Sequence, residues 1–200
     1  MSYSDFTVEL LKEKFGIQLI ENTVLFPDLR PSPVPELLPE LLRRYVPLAT
    51  MMNTEKARSE LIISPVLVEF KLKSKKKISL FSGTEFNVDP KEGLNGRCDY
   101  IISKSEEQLA LSAPVIVIAE AKNDNIIGGI PQCMAGMIAA MRFNILKKNG
   151  IAAVYGIVTT GTLWRFLKLD GSNTGYVDIM EYHIQNIDKI ISILDEITGR

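Results

Sequence analysis

The run Pro114-Val-Ile-Val-Ile-Ala-Glu-Ala-Lys122 constrains the fold more than any other stretch of the chain. Its first half is apolar at every position, so neither face of a strand built from it can meet water. Such a strand belongs in the middle of a sheet covered on both sides. Residues 78–86 and 96–103 ahead of it, and 152–159, 163–169 and 176–183 behind it, also carry strand patterns, separated by turn-rich stretches such as residues 87–95 and Thr160-Gly161.

The covering helices are also readable. Asn53 or Thr54 can cap a helix in which Leu61, Ile62, Val66 and Phe70 recur at helical spacing, with a kink expected at Pro65. Five lysines within residues 71–77 then read as a solvated helix end. A second helix is expected over residues 130–148, closed by Gly150 in the left-handed conformation, and an amphipathic third over 186–198. The fold class that follows is α/β, a mixed central β-sheet flanked by helices. Six of the ten prolines fall in residues 27–47, which predicts an irregular segment along the domain edge with one short helix near 35–45.

With 200 residues, 46% of them apolar, the chain fits a single domain that needs no disulfide or structural metal. Within it, residues 1–50 form an amino-terminal helix and the proline-rich segment, 53–170 the core, and 171–200 a closing strand and helix. The net charge of −1 argues against a surface wholly committed to polyanions, so any nucleic-acid partner must be argued from a site. Cys98 and Cys133 lack a C-x-x-C spacing and read as small buried residues of a reduced setting. The first fifteen residues lack the layout of a signal peptide, and no apolar run suggests a membrane span, so a cytoplasmic protein is expected.

Chemistry concentrates at the end of the apolar strand. Side chains alternate across a strand, so Glu120 and Lys122 project from one face and Ala121 from the other. A carboxylate beside an ammonium at a buried strand end can hold a divalent cation and orient a water. Asp99 on the preceding strand would supply a second carboxylate, and a set of hard oxygens suits Mg²⁺. The same (D/E)-x-K spacing recurs at Glu69-Phe70-Lys71 and Asp89-Pro90-Lys91, but the first lies near a helix end and the second in a proline turn. Only the third match ends an apolar strand. The plainer alternative for Glu120 and Lys122 is an ion pair at a solvated strand end. Trp164, Arg165 and Phe166 read as strand core sooner than as a base-stacking platform, and His183 reads as structural.

The order of features is Glu60 in a helix, Gly96-Arg97-Cys98-Asp99-Tyr100 entering a strand, Glu120-Ala121-Lys122 ending the next, then Gln132 opening a helix. This order resembles the PD-(D/E)XK nuclease superfamily, with restriction-endonuclease-like fold, over residues 53–164. Cys98 stands where the proline that names the motif would be. The resemblance implies that Asp99, Glu120 and Glu60 hold Mg²⁺, with Mn²⁺ able to substitute, and that Lys122 positions the water and Gln132 contacts the site. It further implies a nuclease acting on nucleic acid, DNA first, by in-line attack of a water held on the metal, with a homodimer a sensible arrangement for cutting two strands. The alternative is a nuclease-fold module that binds nucleic acid or protein without catalysis.

Overall fold

The structure is a computed structural model and describes residues 1–199. Strand β4 (Val115–Ala121) is buried at every residue, as its apolar pattern requires. It pairs antiparallel with β3 (Arg97–Ser103) and parallel with β5 (Ala153–Thr159). A parallel neighbour needs a crossover, and α5 (Ile126–Leu146) supplies it. Beyond β3 lies β2 (Ser79–Glu85), at one edge of the sheet. Beyond β5 come β6 (Leu163–Asp170), β7 (Thr174–Asp178) and β1 (Gln18–Thr23), while β8 (Tyr182–His183) pairs with the start of β6. The order β1-β7-β6-β5-β4-β3-β2 is parallel at β1/β7 and β4/β5 and antiparallel elsewhere. The sheet is therefore mixed.

Each face carries its own core. Ile118, Val158 and Leu167 pack with Cys133, Met134 and Met137 of α5 and with Leu11 of α1 (Val8–Phe15). On the other face, Val117, Ile157 and Phe166 pack beneath a helical layer. That layer comprises α2 (Leu38–Met52), α3 (Glu55–Arg58), a π turn (Ser59–Ile63), α4 (Ser64–Lys73) and α6 (Ile187–Gly199). Trp164 and Phe166 are fully buried, and the indole N–H donates to the Gly161 carbonyl at 2.8 Å, so both are core residues. Helix α5 has the length and composition of a membrane-crossing helix, but it serves here as the core helix against β4 and β5.

Several elements depart from the sequence expectation, each for a local reason. Pro65 does not kink a plain α-helix. The turn before it widens, with the Ser64 N–H bonding the Ser59 carbonyl, which gives the proline ring room where it would crowd the preceding carbonyl. In place of a short helix near 35–45, α2 runs for fifteen residues through Pro47. Pro39 costs it nothing, since first-turn N–H groups have no partner within the helix, and buried Leu38, Leu42 and Ala49 anchor it past Pro47. Helix α5 begins at Ile126, ahead of the expected residue 130, because the Asn125 side chain caps it by accepting the Gly128 N–H. Pro131 and Gln132 consequently lie inside this helix, not at its opening. It closes with Lys148 at φ +59°, so Lys148, not Gly150, takes the left-handed conformation. The expected strand over 176–183 is two strands, because the Asp178 carboxylate accepts the Met180 and Leu25 N–H groups and the Tyr182 hydroxyl, turning the chain. Of the lysine run, Lys71 and Lys73 end α4, and Lys76 ties it to α6 through Asp195 at 2.9 Å.

The fully buried Asn144 side chain docks α5 on the first residue of β4, accepting the Val115 N–H at 2.8 Å and donating to its carbonyl at 2.7 Å. Asn144→Leu leaves both backbone groups buried without partners and is expected to lower stability by about 2–3 kcal/mol in urea denaturation.

A candidate active site where two strands part

The β3–β4 ladder ends at Tyr100 opposite Ala119, whereas β4 remains paired with β5 through Ala121 and Thr159. The next amide, that of Lys122, donates to the Thr159 carbonyl at 2.8 Å. The Ala121 N–H, facing the strand that has parted from it, is taken at 2.8 Å by Asp99 Oδ2. A side-chain carboxylate thus replaces the missing ladder bond, which fixes Asp99 beside the end of β4.

Glu120 follows the strand alternation onto the α5 face and is 5% exposed. Its Oε1 accepts from Lys122 Nζ at 2.9 Å, and the same ammonium donates to Gln132 Oε1 at 3.0 Å. The Asp99 carboxyl lies close enough for its charge to act on Glu120. Burial pushes the Glu120 carboxyl up to about 8, the Asp99 charge adds to that rise, and Lys122 opposes it. Behind the pair, burial also pushes the thiols of Cys98 and Cys133 up, and the Glu120 charge reinforces both shifts. Both cysteines are buried, as expected from their spacing.

Glu60 stands apart from this group. It lies in the π turn, mostly exposed, and pairs with Lys56 at 2.7 Å. The turn itself is at the same end of the sheet, since the Ser59 hydroxyl meets the Tyr100 hydroxyl at 2.7 Å. The Arg58 guanidinium next to it donates to the Thr160 carbonyl and to Asn53 Oδ1, each at 3.1 Å, clamping α2 and α3 to the β5–β6 turn. Arg58 is nine-tenths buried, yet nothing in the sequence distinguishes it from the solvated cations around it. The other two (D/E)-x-K matches carry no such grouping. Glu69 and Lys71 lie on α4, and Asp89 pairs with Arg142 at 2.8 Å and caps a short turn.

Among the described residues no group of three or more His, Cys, Asp or Glu side chains is disposed to hold a metal, so the oxygen set here is the Asp99–Glu120 pair. Two adjacent carboxyl groups, one of them buried and held protonated to unusually high pH, fit a divalent cation. A cation offsets the like charges that otherwise favour the neutral acid, and hard oxygen donors are the kind that Mg²⁺ prefers. No family model, curated protein or solved structure matches the chain.

The raised Glu120 pKa sets a pH dependence. The carboxyl ionises near 4.5 when unfolded and near 8 when folded, so the folded state holds the extra proton between those values. The stabilisation is complete below the lower value and lost as pH rises through the upper one, with a slope of at most roughly 1.4 kcal/mol per pH unit. Metal-free protein is expected to lose stability over this window in denaturant titrations, and Glu120→Gln to flatten the slope.

Proposed function

We propose that the chain is a metal-dependent nuclease with a restriction-endonuclease-like fold, hydrolysing phosphodiester bonds in DNA. The observation that carries this reading is the grouping at the end of β4: Asp99 beside Glu120, with the Lys122 ammonium 2.9 Å from Glu120 and 3.0 Å from Gln132. Asp99 and Glu120 would hold the cation, which when bound supplies Lewis-acid stabilisation of the phosphate oxygens and a more acidic water.

The chain's own residues account for the remaining requirements. Asp99 is fixed by the Ala121 amide through Oδ2, and Oδ1 is the oxygen that would meet a ligand. Lys122 directs an ammonium toward Glu120, where it can orient the attacking water and offset negative charge as the reaction proceeds. The water oxygen bonds to phosphorus as the bond to the leaving oxygen breaks on the opposite side. The water's proton passes to solvent and the leaving oxygen takes one up. Gln132 touches Lys122 and so acts through it. Glu60 stands outside the pair, so a smaller contribution is assigned to it.

The test is cleavage of supercoiled plasmid, linear duplex, single-stranded DNA and RNA with Mg²⁺ or Mn²⁺. Wild type is expected to cut DNA, Asp99→Ala and Lys122→Ala to lose about 10²–10³-fold in rate, and Glu60→Ala to lose less than about tenfold. Absence of cleavage together with absence of Mn²⁺ binding by calorimetry would overturn the nuclease reading in favour of a non-catalytic binding module.

A further inference from the structure

Glycine is the poorest helix former after proline, yet α5 carries Gly128 and Gly129 in its first turn. Gly128 lies under the Asn125 cap. Gly129 has a different neighbourhood. A Cβ there would stand 3.0 Å from both Lys122 Cγ and Cε, and 2.7 Å from Val158 Cγ1. The aliphatic stem of Lys122 therefore runs directly over the bare backbone of Gly129. Three residues further along the same helix face, Gln132 Oε1 accepts the lysine's ammonium at 3.0 Å.

We propose that Gly129 is a positioning residue for the reaction. By leaving the first turn of α5 without a side chain, it provides the channel along which Lys122 reaches Glu120 and Gln132 together. This inference rests on the nuclease reading for its consequence in catalysis, but its geometric content stands independently. A methyl at 129 would press on Lys122 Cγ and Cε at 3.0 Å, so the lysine stem would have to shift, and the proposed consequence is a weaker hold of the ammonium on its two acceptors.

Gly129→Ala alone is ambiguous, because the new methyl also meets Val158 and can push the helix from the sheet. The decisive comparison is Gly129→Ala/Val158→Ala against Val158→Ala. The double variant removes the 2.7 Å contact with Val158 Cγ1 and keeps the two contacts with Lys122. Two readouts are taken on folded protein. The first is the rate of Lys122 acetylation by an amine-reactive ester, followed by mass spectrometry without metal or DNA. The second is kcat and KM on the best substrate of the cleavage panel.

The expected result is acetylation at least threefold faster in the double variant than in Val158→Ala, and kcat at least tenfold lower with KM within twofold. Equal acetylation in the two proteins overturns the proposed channel whether or not the protein cleaves DNA. Faster acetylation with undiminished kcat overturns the positioning role. Because the acetylation readout needs no substrate, a wild-type protein that neither cuts nor binds Mn²⁺ sinks the nuclease reading and still leaves the channel decided.

Discussion

A carboxylate left only 5% exposed at the end of the central strand must be matched by something, because removing a charge from water is unfavourable unless partners replace the solvent. The chain contains a second case for comparison. Asp178 is fully buried, and its oxygens receive the Leu25 and Met180 N–H groups and the Tyr182 hydroxyl. Those donors do visible structural work, holding the turn between β7 and β8 against the segment that follows β1. Glu120 has a single charged donor, Lys122, and is also under the charge of a second carboxyl group, Asp99. Lys122 also donates to Gln132 through another of its three N–H bonds. Burial pushes both carboxyl groups up, but Asp178 is met by three donors of the fold, whereas Glu120 has one ammonium and the added charge of Asp99. That asymmetry supports the proposed role of Glu120 as a ligand group.

The geometry that produces the asymmetry is a local failure of strand pairing. Had the β3–β4 ladder continued past Tyr100 and Ala119, the Ala121 amide would have bonded a backbone carbonyl. Asp99 would then have been free to turn elsewhere. With the strands parted, the amide recruits the carboxylate, and the recruited carboxylate lies where its charge acts on Glu120. A backbone donor that must be satisfied thereby fixes a side chain that chemistry can use.

What the sequence made legible follows from which physical signals are local. An apolar run with no polar face can only be a covered strand, so β4 and the α/β class were evident, and strand alternation put Glu120 and Lys122 on one face. The direction of Glu60 was not legible. It depends on a π turn, whose wider spacing shifts the phase of the side chains relative to an α-helix, and nothing local announces that turn beyond Pro65. Strand β1 was missed because Gln18-Leu-Ile-Glu-Asn-Thr23 is an exposed edge with little apolar alternation, held by pairing with the distant β7. The start of α5 was obscured by Pro131, since a proline reads as a first-turn residue and here lies in the second turn. Arg58 and Asn144 owe their roles to partners far along the chain, which no window of sequence contains.

The location of the site follows from the one parallel connection at the centre of the sheet. Because β4 and β5 run the same way, the chain leaving β4 must return along the sheet before it can enter β5, and α5 is that return. Its first turns therefore lie beside the carboxyl end of β4, which brings the bare backbone at Gly129 and the amide of Gln132 to the stem and head of Lys122. Carboxyl ends of parallel strands are where open α/β sheets place their ligands, since loops and helix starts converge there around exposed strand termini. In this chain the same end also receives Asp99 from β3 and the Arg58 clamp from the opposite helical layer. Groups from both faces of the sheet thus meet at one edge of one strand, and the helix that the parallel pairing demands also sets the lysine.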